Sequence, residues 1–370
     1  MRICHITINK IEFERRIHNQ IETAKKLRYK VLSVSLGKPG EKKCEKKNGF
    51  LKRKIFTRFH AKGPLKFISF NIKLFFYILF KPIQIIHCHD LWPLPAAAFA
   101  SLLKNCTLVY DAHEYYGGLN IFNKRPARKN IWMILEWLSI PLVDVLITVS
   151  EPLGELYKKR YPQLKMVDII RNVPKYEQPK KSEIFADSLF DHTVIFHGHF
   201  KPGRGLEKLV QAMKNVPHVK LIMVGGGELK DSLFNLVSDL SLKNIEFVDY
   251  INQDELISHA AKADIGIVLF EPTSLNYSFA LPNKFFEYAM AGLPILASNI
   301  ETLKFYIEKY DIGKTVNPDN IEEISETLKV MLSNESNLKK WKSNCLEMAK
   351  ECNWESETKK LENLYNEIYK

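Results

Sequence analysis

Short, unbroken apolar runs recur from one end of the chain to the other, separated by amphipathic helical stretches. In the first half they are Arg2–Ile8, Val31–Leu36, Ile83–Cys88, Thr107–Asp111, Val145–Val149 and Val167–Ile170. In the second half they are Val194–His197, Val219–Val224, Ile245–Val248, Ile265–Leu269 and Pro294–Ala297. A strand with one wet face alternates polar and apolar residues. A strand that is apolar throughout is covered on both faces, as in a parallel sheet flanked by helices. Strand, helix, strand over the whole length predicts an α/β chain with two doubly wound, Rossmann-like parallel sheets. The 370 residues give room for two such domains. Facing each other, the two would leave a cleft, with ligands beyond the carboxyl ends of the strands.

The boundary is expected near Pro174–Asp191, where Pro174, Lys175, Pro179, Lys180 and Lys181 make the chain polar and irregular. This gives a first domain over residues 1–180 and a second over 181–352, with a last helix at 353–370. After Pro318 the pattern is wholly helical, in three stretches at Asp319–Leu332, Asn337–Cys352 and Ser356–Tyr369. Charge divides at the same place. Residues 1–180 carry 33 Lys and Arg against 14 Asp and Glu, whereas residues 181–370 carry 21 against 28. The basic half is suited to an anionic partner.

The six cysteines form no CxxC pair and none has zinc-finger spacing, so they read as reduced thiols of a cytosolic protein, with no metal site. The chain opens directly on a strand-like run, with no signal-peptide pattern. No segment reaches the roughly 20 apolar residues of a membrane span. In the most apolar stretch, Leu65–Phe80, Lys66, Ser69 and Lys73 follow Lys62 at helical spacing. That pattern favours a core helix over one lying in a membrane interface. The stretch Lys38–Lys62 holds ten cations against Glu41 and Glu45, with Phe50, Phe56 and Phe59 interleaved. It reads as a loop and helix on an anionic membrane face, as a solvated insertion, or as a nucleic-acid contact; no nucleic-acid motif accompanies it.

Four segments carry candidate chemistry. In His197-Gly198-His199-Phe200-Lys201-Pro202-Gly203-Arg204-Gly205 a strand turns into a helix, and Lys201 and Arg204 with free backbone N–H groups would make a diphosphate cradle; a plain turn with two exposed cations is the alternative. Gly225-Gly226-Gly227 permits close approach of a ligand or simply a tight turn, and lacks the spacing of a nicotinamide site. Leu281-Pro282-Asn283-Lys284-Phe285-Phe286-Glu287-Tyr288 opens a helix that Gly292 and Pro294 close, with Asn283 and Glu287 one turn apart. A carboxylate there can accept two hydrogen bonds from a vicinal diol, or be an ordinary surface charge. His113, in Tyr110-Asp111-Ala112-His113-Glu114, stands just past a strand end, where a histidine is either structural or functional.

Together these segments resemble the group 1 retaining glycosyltransferases of the GT-B fold, over nearly the whole chain and most strongly at residues 193–317. The Leu281–Tyr288 motif followed by Ala291-Gly292-Leu293-Pro294 is the most specific part. The Arg204-Gly205 turn, Val224–Gly227, Asp111–Glu114, Val149-Ser150 and Asn172-Val173-Pro174 support it. The resemblance implies a nucleotide-sugar donor, with uridine the commonest base, and no cofactor. Gly198, Lys201, Gly203, Arg204, Gly225, Gly226, Tyr250, Ala280, Leu281, Asn283, Lys284 and Glu287 would bind that donor. His113 and Arg204 would be catalytic, with Arg204 on the diphosphate and Glu287 on the ribose. Arg16 is a weaker candidate for a phosphate or acceptor contact. The final helix of such proteins typically crosses back to the first domain.

There is one departure. The family often shows two glutamates separated by seven residues; Glu287 would match the second, Phe279 stands where the first would be, and Glu271 has the wrong offset. The expected function is sugar transfer with retained configuration to an acceptor hydroxyl, in cell-surface polysaccharide or glycolipid assembly. The acceptor would be a lipid-linked saccharide, and the protein would sit in the cytoplasm or at the inner face of the cell membrane. An epimerase or inverting transferase on the same fold, or a silent binding partner, are the alternatives.

Overall fold

A computed structural model describes residues 1–9, 11, 14–47, 49–57, 63–119, 125–179 and 189–368. Arg58, Phe59 and Lys62 of the basic stretch, Lys180 and Lys181 of the expected boundary, and Tyr369 lie outside them. The chain divides into two units: Met1–Arg171 with Glu357–Lys370, and Asn172–Ser356.

In unit 1 the elements follow as β1 (Arg2–Ile6), α1 (Arg15–Lys26), β2 (Lys30–Leu36), β3 (Cys44–Lys47), β4 (Phe50–Ile55), α2 (Pro64–Leu79), β5 (Ile85–His89), α3 (Leu94–Lys104), β6 (Thr107–Ala112), α4 (Pro126–Ser139), β7 (Val145–Thr148), α5 (Glu151–Arg160) and β8 (Val167–Ile169). The sheet runs β3-β4-β2-β1-β5-β6-β7-β8, parallel except for the β3–β4 pair. β1 at its centre is flanked by β2 and β5, and the sequence-adjacent strands lie on either side of this switch in direction.

Unit 2 contains β9 (His192–His199), α6 (Leu206–Ala212), β10 (Val219–Gly226), α7 (Lys230–Asp239), β11 (Ile245–Val248), α8 (Gln253–Ala260), β12 (Ile265–Val268), α9 (Leu275–Ser278), α10 (Asn283–Met290), β13 (Ile295–Ser298), α11 (Glu301–Tyr310), β14 (Gly313–Val316), α12 (Ile321–Ser333) and α13 (Glu335–Glu351). Its sheet, in the order β11-β10-β9-β12-β13-β14, is wholly parallel. Successive residues of β9 go to opposite faces. Ile195 joins the core under α10 and α13, while Val194 and Phe196 join the core under α6 and α12. Both faces are therefore dry, and the unbroken apolar runs follow from that. The last helix, α14 (Trp354–Glu367), continues into the segment that belongs to unit 1.

Two expectations are corrected. The basic stretch contributes an antiparallel hairpin, β3 on β4, at the edge of the unit 1 sheet, in place of a loop and helix. The outer strand β3 carries Glu45, Lys46 and Lys47, and charged residues are the usual protection of an exposed edge. Helix α2 is not a core helix: only Phe70, Leu74 and Ile78 are buried, on one stripe at i, i+4, i+8. Leu65, Ile68, Ile72 and Phe76 are exposed.

Candidate functional site

In unit 2 the polar groups collect beyond the carboxyl ends of β9 and β10. Gly198 and Gly225 are cross-strand partners. A Cβ on Gly225 would lie 2.1 Å from the Gly198 carbonyl oxygen, and the Gly225 φ is +136°. The first glycine of the triplet thus serves strand-to-strand approach. Gly226 follows it in the strand, where its carbonyl accepts from the Tyr250 hydroxyl at 2.7 Å; that hydroxyl also meets His199 Nδ1. The side chain of Lys284 reaches back over Gly198, its ammonium 3.6 Å from the centre of the Phe196 ring.

Lys284 is 9% exposed. Burial pushes its ammonium well below the usual lysine range; Arg204 and Lys201 push the same way, and Glu287 opposes them. Arg204 stacks over Phe270 at 4.2 Å, its Nε has no hydrogen-bond partner, and burial lowers its guanidinium too. Neither Lys284 nor Arg204 makes an ion pair among the described residues. Two desolvated cations that repel each other beside a glycine backbone form a site tuned for an anion. Glu287, on α10, is buried with its Oε2 2.8 Å from His197 Nε2.

The turn between β9 and α6 packs on the segment after β12. The Gly203 carbonyl accepts from the Glu271 backbone N–H, and a Cβ on Gly203 would meet the Tyr277 ring at 2.5 Å. Glu271 itself pairs with Lys208 at 3.1 Å. Phe279 is buried after α9, and half-buried Ala280 and Leu281 lead into Asn283, the first residue of α10. Pro282 caps that helix and no side chain does so.

Unit 1 gathers a second cluster around the ends of β5 and β6. Arg16, on α1, donates from Nε and Nη2 to the two Asp111 carboxylate oxygens at 3.1 and 2.7 Å, and from Nη1 to the Ile170 carbonyl. Gln20 donates to the same carboxylate. His5, His87 and His89 stack beside it with ring centres 4.6–5.4 Å apart. Burial, the largest influence, lowers all three, His89 to about 3, so the stack is neutral. His113 Nε2 lies 3.3 Å from Asp111 and its Nδ1 3.6 Å from Asp90. Burial would lower its imidazolium, but Asp90 and Asp111 outweigh burial and raise it to about 8. Burial alone would raise the Asp111 carboxyl; Arg16 and His113 hold it well below the usual carboxylate range. His87, His89 and Asp111 have the separations of a metal triad. Arg16 already sits on both oxygens of that carboxylate, and its charge would repel a cation there.

The structure thus brings Gly198, Lys201, Arg204, Lys284 and Glu287 together in unit 2, with Gly225 and Gly226 at the end of β10 and Gly203 and Tyr250 in the surrounding loops. His113 belongs to unit 1. Arg16, read from the sequence as a phosphate or acceptor contact, is 3% exposed and is committed to a structural ion pair. Sequence reading passed over Asp90, Asp111 as a charge centre, His197 and Glu14. The Glu14 carboxyl is raised by burial and lies within the field of His113. The run His87-Cys88-His89-Asp90 at a strand end was the available signal.

Two doubly wound parallel sheets with polar groups beyond the carboxyl ends of their strands are the architecture of the GT-B glycosyltransferases. Sucrose-phosphate synthase from Thermosynechococcus elongatus matches the fold with a TM-score of 0.77 at 17% identity, over 100% of this chain and 99% of that one. Anabaena HepE in complex with UDP matches with a TM-score of 0.76 at 14% identity, over 99% and 100%, and it is also known in complex with UDP-glucose. Residues 177–348 match the family described as Glycosyl transferases group 1, and residues 13–173 match Glycosyltransferase Family 4. The chain belongs to the group 1 glycosyltransferases and is a transferase enzyme. No curated protein matches it in sequence.

Proposed function

We propose that this enzyme moves a sugar from a UDP-sugar donor to the hydroxyl of a lipid-linked saccharide, with retention of configuration, in cell-surface polysaccharide or glycolipid assembly at the cytoplasmic membrane face. Half-buried Arg204 and buried Lys284, which lies over Gly198, carry the reading; neither makes an ion pair among the described residues. A diphosphate between them would relieve their mutual repulsion and favour the charged form of Lys284. The same cations would take up the charge that develops as the sugar–phosphate bond breaks. The UDP complexes of HepE support the choice of base, and Glu287 is assigned to the ribose.

In the proposed step the bond from the anomeric carbon to the leaving phosphate oxygen breaks. The acceptor oxygen bonds that carbon on the same face, and the acceptor proton passes to the leaving phosphate. Phe279, where a carboxylate would be sought, favours a route without an enzymic nucleophile. Protonated His113 is proposed as a catalytic hydrogen-bond donor. Calorimetric titration of UDP into the full chain tests the site. Each of Arg204→Ala and Lys284→Ala is expected to weaken binding about 10- to 100-fold, the range of a charge-assisted hydrogen bond. Unchanged affinity in both would defeat the assignment, and an inverted product anomer would defeat the mechanism.

A further inference from the structure

Helices α2, α3 and α4 of unit 1 pack side by side and share one apolar outer face. Of the 22 large hydrophobic residues exposed over the described chain, 12 lie on these helices or at the cap of α2. Ile72 is 54% exposed, Leu103 66% and Ile131 59%. Two apolar grooves run between the helices, and Ile72 with Pro95 lines both, so the face is continuous. Soluble monomers rarely expose so much contiguous apolar surface without using it.

Charge identifies the partner. The three helices carry Lys66, Lys73, Lys104, Arg128 and Lys129, with Arg125 and Lys81 at their ends. Their only acid is Glu136, which is buried and bonded to the Tyr110 and Tyr161 hydroxyls. An apolar face rimmed by cations and cleared of exposed carboxylates suits acyl chains under anionic headgroups. No described helix is long and apolar enough to cross a membrane, so the face would lie on the bilayer.

We propose that the α2–α3–α4 face seats unit 1 on an anionic lipid bilayer. This deepens the proposed function by naming the surface on which a lipid-linked acceptor is met, and its test involves no sugar transfer. The full chain is floated with vesicles of pure phosphatidylcholine and of phosphatidylcholine with phosphatidylglycerol in equal parts. It should rise with the mixed vesicles, at least tenfold more than with the neutral ones. The pair Ile72→Glu, Ile131→Glu should abolish flotation. The pair Lys66→Glu, Lys129→Glu leaves every apolar residue in place and should reduce partition on the order of 25-fold, at about fivefold per cation. UDP binding by unit 2 and circular dichroism report that the variants are folded. Equal partition with both vesicles, or flotation of the variants like the wild type, overturns the proposal. A dimer in solution that Ile72→Glu dissociates overturns it in favour of a second copy of the chain.

Discussion

Asp111 shows how much a single carboxylate can organise. It is fully buried, takes two hydrogen bonds from Arg16 and faces a neutral stack of three histidines, and beyond them it helps to hold His113 protonated. The sign of the pH effect follows. His113 is raised from 6.5 to about 8 in the folded chain, so its stabilisation is complete below pH 6.5 and is lost as pH rises through 8. Such a shift amounts to roughly 2 kcal/mol. The ring resonance of His113 should titrate with a midpoint near 8, and in Asp90→Asn the midpoint should move down. A midpoint at or below 6.5 in the wild type would contradict this account. Asp111 and His113 were visible in the sequence as a strand-end motif. Their partners come from two other segments, Arg16 from α1 and His89-Asp90 from the end of β5, and no local spacing could announce that convergence.

At the scale of elements, the glycines of β9 and β10 are a matter of strand spacing. Gly225→Ala would drive a methyl group into the Gly198 carbonyl at a φ that alanine resists. It should destabilise the chain by about 2 kcal/mol or more, seen as a lower urea midpoint. A midpoint unchanged from the wild type would mean that the strands can part without cost. Strands and helices buried on both sides were the most legible elements, because uninterrupted Val, Ile and Leu have few other uses. The β3–β4 hairpin escaped because edge strands rich in lysine look like solvated loops. Helix α2 was legible as a helix, but not as an exposed one. Apolar residues surround most of it, and only the packing of α3 and α4 decides which stripe is covered.

On the scale of the whole molecule, Arg171 closes the first segment of unit 1 onto the last. Its backbone N–H and Nη1 donate to Glu357, which is fully buried, and its Nη2 to Glu151. Further along the same helix, the Tyr365 hydroxyl lies 2.7 Å from His87 Nδ1. Glu357→Ala would leave a buried guanidinium short of its partner, at a cost of roughly 3–5 kcal/mol. Limited proteolysis should then cut residues 357–368 much faster than in the wild type; an unchanged cleavage rate would show that the clamp contributes little.

The order of synthesis gives this clamp another meaning. The ribosome makes residues 1–171 before the piece that completes their unit, with Tyr365 against the histidine stack, and that piece follows only after all of unit 2. Unit 1 therefore cannot finish folding until residues 357–368 have been made. Its helix α14 thus certifies that unit 2 has been made, and a product stopped before residue 357 would carry an open seam for proteases to find.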